Sequence, residues 1–414
     1  MALSNEQVGV VSRLVSETQV DALIADLDPI TKIMDKNISK TFSNKTFQSG
    51  TTVNVKINDQ PLMPVQQTQL RVDPVVQSEI SVTVLNWTTG QNLQTIFEAL
   101  VLGGKDWVKK TVIMPRVETM AAQIAEIAYT QLMTCPNFIG TAGTAVKTAT
   151  DFGTARAALT NQLAKGYLYC GMQPDDMAQV SGDLAGKFNP TSDSSTAYLK
   201  GVVNQAAGFQ MFESTQIPYH SNGSAVGTGA AGMALSAAPA SGATSITVSG
   251  GTANGVITEN SLIYFPGKFA VQPQTKQTVG QLRTFRVTET VQLSGSGVGT
   301  ISIFPPIVGP ENPKSQTISA LPTTDYVGIE GAASATYRQM LFMKKNSSAL
   351  IGVEQEDLIG GAINSTAFYD GLPVQSAFAG DITNRQNQGR SDFLGAALNL
   401  QWRHQWRAFT ARVD

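Results

Sequence analysis

The residues able to do chemistry are few and scattered. Two histidines, His220 and His404, and two cysteines, Cys135 and Cys170, each stand alone in the sequence. None has the spacing of a zinc site or a dithiol centre, whose ligands must reach one ion or one another. The thiols are expected to be reduced and mostly buried, and the histidines to be structural or surface residues. Adjacent carboxylates occur at Asp175-Asp176 and Glu356-Asp357. Paired acids at helix starts are favoured by the helix dipole and are expected to be solvated; without a partner base or a pocket they carry no acid–base assignment. Gly227-Thr228-Gly229-Ala230-Ala231-Gly232 has the spacing of a dinucleotide-binding turn. That turn works between a strand and a helix, with an acidic residue about 20 positions further on. Here Ser221-Asn222-Gly223-Ser224 precedes it and Pro239 cuts off any helix, so a connector is expected. There is no G-x-S-x-G elbow, Walker A loop or H-E-x-x-H helix. The sequence therefore assigns no catalytic residue, no cofactor site and no metal site.

Charge narrows the classes further. Of 414 residues only 14% are charged, with Lys+Arg 29 against Asp+Glu 31 and a net charge of -2. A nucleic-acid reader needs a basic face to neutralise phosphates. The balance argues against that function but suits a container that must hold DNA without adhering to it. No apolar stretch approaches the roughly 20 residues needed to span a bilayer. No basic region followed by an apolar run opens the sequence, so no secretory signal is read there and use in a cytosol is expected.

The elements that would position these residues can be read from periodicity. Val8, Val11, Leu14, Val15, Val20, Leu23, Ile24 and Leu27 recur at helical spacing, and Asp28-Pro29 should interrupt the run. Glu6, Glu17 and Asp21 lie outside that apolar stripe. Thr51–Ile57 and Glu79–Trp87 alternate with period two and flank a Gln- and Pro-containing stretch, which reads as a long hairpin. An isolated hairpin is marginal in water, and its edges invite pairing. Lys56, Asp59, Arg71, Asp73 and Glu79 are the charges it carries toward a partner. Helices are expected over Gln91–Leu102 and from Pro115 to about Met133, the second with Val117, Met120, Ala121, Ile124, Ile127, Ala128 and Leu132 on one face. Asp151 is expected to cap a helix carrying Phe152, Ala155, Leu159 and Leu163. A buried strand Tyr167–Tyr169, a short helix opened by Asp175 and Asp176, and a strand Phe209–Ile217 follow. No charged residue lies between His220 and Glu259. Beyond it, Thr244–Val248, Ser261–Phe265, Leu282–Thr288 and Thr300–Phe304, punctuated by Gly and Pro, read as a small β-barrel or sandwich inserted into a mixed α+β body. Gly331–Lys344 is expected to be a helix, and strands near Phe393–Trp402 and Ala408–Val413 close the chain.

This order of parts resembles the Hong Kong 97-type capsid fold of tailed bacteriophages, and within it the coat proteins of short-tailed Salmonella-type phages, which carry an inserted β-barrel. The similarity rests on Met1-Ala2-Leu3, on Asn204–Phe209 running into Thr215-Gln216-Ile217-Pro218, and on Ile263–Phe269, Thr284-Phe285-Arg286-Val287 and Ile301–Ile307 inside the insertion. It continues at Ala379-Gly380-Asp381-Ile382 with Arg390 and Leu394. The resemblance implies an N-terminal arm at 1–41, an extended E-loop at 42–90, a P-domain with its spine helix at 91–150, an A-domain beginning at 151–220, the inserted barrel at 221–332 and a return at 333–414. It implies a major capsid protein that self-assembles into an icosahedral shell of pentamers and hexamers enclosing double-stranded DNA. Its partners would be copies of itself, a separate scaffolding protein and a portal protein, with an outer surface open to a decoration protein and no membrane. Lys56, Asp59, Arg71, Asp73 and Glu79 would contact a neighbouring subunit, and Glu6, Glu17 and Asp21 a basic scaffold. The family's charged hairpin at the start of the insertion is replaced here by the uncharged stretch up to Thr258. Competing readings are an encapsulin-like nanocompartment shell protein and a tail or adhesin β protein.

Overall fold

The computed structural model describes residues 28–37, 46–47, 49–58, 77–92, 107, 110, 113–185, 203, 205–225, 233–312, 315–323, 325–356, 363–369, 372–381 and 386–413. They fall into two compact units. One comprises Met1–Ile57, Glu79–Tyr129 and Ser348–Leu400; the other comprises Asn58–Ser78, Thr130–Ser347 and Gln401–Asp414.

In the first unit the predicted interruption at Asp28-Pro29 is the start of a short helix, Pro29–Ile33. Asp28 caps it by accepting from Ile30 N–H at 3.0 Å, and Pro29 fills a first-turn position where no N–H is needed. Tyr129 O–H donates to the same Asp28 carboxylate at 2.7 Å. Strand Thr52–Asn58 pairs with Gln77–Thr83 as the alternation predicts. Its buried Val53 and Val55 join Val84, Ile351, Val353, Leu394 and Leu398 in one apolar cluster. Strand Leu85–Asn92 turns away at Val84 and lies along Gln386–Asn399. That long strand is the centre of a five-stranded antiparallel sheet, with Ser348–Gly352 and Leu372–Asp381 as further partners and Ile363–Tyr369 beyond. Gln91 and Asn92 are therefore strand, not the start of a helix, because the ladder with Gln386–Asn399 claims their backbone; residues 93–102 of that expectation lie outside the described residues. The helix Met114–Leu132 forms where Pro115 predicts it. Its buried face includes Ala125 and Tyr129, and Ile127 sits at the margin.

The second unit holds a mixed sheet and a barrel. The sheet runs in the order Gln405–Arg412, Thr336–Lys344, Leu168–Met172, Phe209–Glu213, Gln205–Ala206. Leu168–Met172 and Phe209–Glu213 are parallel, and Ala149–Asn161 and Pro174–Ala185 are the helices between the elements. Phe152, Phe209 and Phe342 meet at tilted and edge-on angles in the core with Leu159, Cys170 and Trp406. The predicted helix over Gly331–Lys344 is the strand Thr336–Lys344. Met340, Leu341, Phe342 and Met343 are all buried between two neighbouring strands, and such a continuous apolar run has no period that separates strand from helix. The cap of Ala149–Asn161 is Thr148, with Asp151 closing a reciprocal capping box three residues on. Tyr167 stays outside its strand and is 67% exposed.

The inserted β region closes completely. Strands Met233–Leu235, Ala243–Ser249, Leu262–Val271, Thr278–Val287, Gly299–Ile307 and Tyr326–Ile329 form a six-stranded barrel. Its interior is filled by Ile246, Val248, Ile263, Phe265, Phe285, Val287, Ile301 and Ile303 among others. Closure leaves the barrel without free edges. Strand Met233–Leu235 directly follows the Gly-rich string 227–232, so the helix that a dinucleotide site requires is absent after it; the string itself lies outside the described residues.

Candidate functional site

The described geometry converges where the barrel joins the mixed sheet within the second unit. The chain enters the barrel through residues 220–225 and leaves it through 329–336, and the two passages are stitched together. His220–Ser221 pairs with Thr336 and Tyr337. Asn222 N–H donates to Ala335 O at 2.9 Å, and Ser334 N–H to Gly223 O at 3.1 Å. The buried Asn222 amide spans the neck. Its Nδ2 donates to Glu330 O at 2.8 Å and Ala332 O at 3.2 Å, and its Oδ1 lies 2.9 Å from His220 Nε2. The His220 ring stacks on Phe409 at 4.8 Å, Phe409 on Tyr337 at 5.6 Å, and Tyr337 Oη accepts from Ala332 N–H at 2.8 Å. Burial, with Arg407 nearby, pushes His220 down to about 3, so the ring is neutral and donates from Nε2. Two glycines are required here. A Cβ on Gly223 would stand 1.9 Å from Val256 O, and one on Gly331, at φ +95°, would stand 2.6 Å from Asn222 Nδ2.

Beside the neck lies a second contact built on arginine. Arg283 and Arg286 come from barrel strand Thr278–Val287, and Arg407 from sheet strand Gln405–Arg412. Arg283 Nη1 donates to Asn137 Oδ1 at 2.8 Å, while Asn137 Nδ2 donates to Trp402 O at 2.7 Å and Gln405 O at 2.8 Å. Thr284 Oγ1 donates to Pro136 O at 2.6 Å. Arg286 Nη1 donates to Asn260 Oδ1, and Arg407 Nη2 to Asn260 O. Aromatic faces flank the cations: Arg283 lies 4.7 Å from the Trp402 centroid, and Arg407 5.4 Å from that of Phe409. Burial pulls Arg283 and Arg407 down to about 9 and raises the Cys135 thiol to about 11. All of these groups therefore keep their protons at neutral pH.

The arrangement holds an inserted domain in one orientation. Cys135 and Cys170 are free and buried. His404 Nε2 lies 3.0 Å from Gln162 O, a structural bond. Asp176, expected to be solvated, is buried: Thr410 Oγ1 donates to it at 2.8 Å and Arg338 Nε lies 3.4 Å away, tying helix Pro174–Ala185 to the sheet. Asp175 pairs with the same arginine from an exposed position. Among the described residues, no group of three or more His, Cys, Asp or Glu side chains is placed to hold a metal ion. Among them, no helix is long and apolar enough to cross a membrane.

Lys56 and Glu79 lie on the paired strands Thr52–Asn58 and Gln77–Thr83, with their side chains outside the described set. Asp59, Arg71, Asp73, Glu6, Glu17 and Asp21 lie outside the described residues. The sequence reading missed Asn137, Asn222, Asn260 and the three arginines as a group. One signal was present: Arg407 interrupts the apolar strand Trp406-Arg407-Ala408-Phe409, where a charge is seldom buried without a partner.

Comparison with known proteins follows the same segment. The family model described as "P22 coat protein - gene protein 5" matches residues 108–401, a span that contains every strand of the barrel. No curated protein matches the chain. Among solved structures, a chain from Mycobacterium phage Che8 aligns at 8% identity and a TM-score of 0.43, covering 92% of this chain and 90% of that one. The capsid of Cyanophage P-SCSP1u aligns at 11% identity and a TM-score of 0.42, covering 89% and 86%. The CUS-3 coat protein I-domain aligns at 19% identity and a TM-score of 0.18, covering 23% of this chain and 92% of that domain.

Proposed function

The chain belongs to the P22 coat protein family and is a shell-forming major capsid protein of a tailed phage; from that premise we propose how it is organised and with what it works. The shell is icosahedral, built of pentamers and hexamers on a Hong Kong 97-type plan, and it encloses double-stranded DNA without reading it. The arm at 1–41, the E-loop at 42–90, the P-domain at 91–150, the A-domain parts at 151–220 and 333–414, and the barrel insertion at 221–332 are its working divisions. Assembly takes place in the bacterial cytoplasm, directed by a separate scaffolding protein and organised around a portal. The chain acts as a structural protein and not as an enzyme.

The observation that carries this reading is a family match that runs through the barrel and the body together. The net charge of -2 fits an inner surface that does not hold DNA tightly. Lys56, Asp59, Arg71, Asp73 and Glu79 are assigned to contacts with the adjacent subunit, and Glu6, Glu17 and Asp21 to the scaffold. An exposed pair is worth only about 0.2–1 kcal/mol, so contacts of this kind can be remade during growth of a shell and sum over many copies. Electron microscopy of the protein expressed alone and with its scaffold tests the proposal. Closed shells that the scaffold makes uniform are the expected result; a dispersed monomer under both conditions would overturn it.

A further inference from the structure

Two guanidinium groups, those of Arg283 and Arg407, are buried where the barrel meets the sheet, and a third, that of Arg286, is 16% exposed beside them. Among the described residues the one carboxylate within ion-pair distance of them is Glu259, 4.0 Å from Arg286 and itself 53% exposed. Arg283 and Arg407 make no ion pair among those residues. A cation taken out of water without a counter-charge is among the most costly groups a fold can bury. The neutral acceptors Asn137, Asn260 and Gln339 and the aromatic faces answer part of this cost. They leave Arg283 Nε and Nη2, Arg286 Nε and Arg407 Nε without an acceptor among the described residues.

The three arginine side chains belong to one cluster. Arg286 and Arg407 both end on Asn260. Asn137 takes Arg283 on its side chain and the Arg407 backbone N–H on its carbonyl, and its own N–H meets Cys135 Sγ at 3.4 Å. The Cys135 sulfur lies within electrostatic reach of all three arginines. It does not supply the missing negative charge, because burial keeps it a thiol. Water would satisfy hydrogen bonds but not the charge.

We propose that this cluster binds a small inorganic anion of the halide class, chloride in the cell, which provides the counter-charge and fastens the barrel to the mixed sheet. A monatomic ion suits a closely packed site with four donor nitrogens left without an acceptor among the described residues. A tetrahedral oxyanion would bring more acceptor positions than those donors can serve, and more volume than a packed interior accepts.

The full-length coat protein tests this at constant ionic strength, with sodium gluconate exchanged for chloride, bromide or sulfate. Linkage to one site predicts that each tenfold rise in chloride above its dissociation constant multiplies the folded-to-unfolded ratio by about ten. Bromide should replace chloride, and Arg286→Gln should flatten the dependence. The chloride NMR line, broadened by folded wild-type protein and sharpened again by added bromide, reports binding directly and does not depend on the variant folding. Equal stability in gluconate and chloride with no excess broadening would overturn the site. So would stabilisation by sulfate equal to that by chloride, which would be a general salt effect.

Discussion

Replacing Asn222 by alanine should loosen the barrel's neck by a calculable amount. The side chain is 5% exposed and makes three hydrogen bonds, to Glu330 O, Ala332 O and His220 Nε2. Asn222→Ala leaves all three groups behind. A buried polar group stranded in this way costs roughly 1–3 kcal/mol. The two carbonyls border partly buried positions where water can enter, so they fall at the low end; the buried His220 Nε2 falls at the high end. The expected loss is about 3–5 kcal/mol. Asn222→Asp retains the acceptor for His220 but points oxygens at two carbonyls, so it should be comparably damaging and worse as the new carboxyl ionises. Urea unfolding followed by the fluorescence of Trp402 and Trp406, both in the same unit, measures the change through the midpoint at constant slope. A loss below about 1 kcal/mol for Asn222→Ala would refute the claim that this amide holds the neck.

Three further outcomes follow from the buried groups. Burial raises Glu330 from 4.5 to about 7. In that window the unfolded chain has lost a proton that the folded chain keeps, so stability falls as pH rises through it and stays low above. Glu330→Gln should therefore stabilise the protein at about pH 8, by on the order of 2 kcal/mol after allowance for partial solvent access, and have little effect at about pH 4; an equal effect at both ends would contradict this. His220 and His404 are lowered from 6.5 to about 3 and about 4, chiefly by burial. Their contribution is full above 6.5 and is lost as pH falls toward those values, so urea midpoints should drop steeply in acid, and His404→Gln should reduce that drop. Cys135 and Cys170 are buried thiols with raised pKa, so a thiol reagent should label them only at the rate of unfolding; labelling of folded protein within the mixing time would contradict the structure.

The parts of the fold that repeat a simple period were legible in the sequence. Each barrel strand predicted from Thr244, Ser261, Leu282 and Thr300 onward exists, longer than read, because alternating side chains and Gly/Pro turns encode half-buried strands locally. The long helix was announced by Pro115 and its stripe. Thr336–Lys344 was misread because its environment on both sides comes from Leu168–Met172 and Gln405–Arg412, far away in sequence. Asp176 was taken as solvated because Thr410 and Arg338 cannot be placed beside it from spacing. The neck and the arginine junction failed for the same reason. Asn137, Asn260, Arg286 and Arg407 carry no common pattern, and only the fold makes them neighbours.

The placement of these cations bears on what the junction is for. A barrel could be held to the body by apolar side chains alone, and burying cations there without acids is the costlier solution. Apolar surfaces tolerate sliding, whereas each guanidinium must find its own acceptor, so Arg283 on Asn137 and Arg286 with Arg407 on Asn260 specify one orientation. In a shell built of many copies of one chain, an angular error in the barrel repeats in every copy. Replacing Arg283, Arg286 and Arg407 together by methionine separates stability from orientation. Measured on other proteins, such exchanges of buried charge for well-packed apolar groups are often neutral or stabilising, by about 1–4 kcal/mol. The triple variant should therefore retain most of its unfolding free energy while its particles, assembled beside wild type, spread in size and shape. Uniform wild-type-like shells from a variant of equal stability would show that the arginines do not set the barrel's orientation.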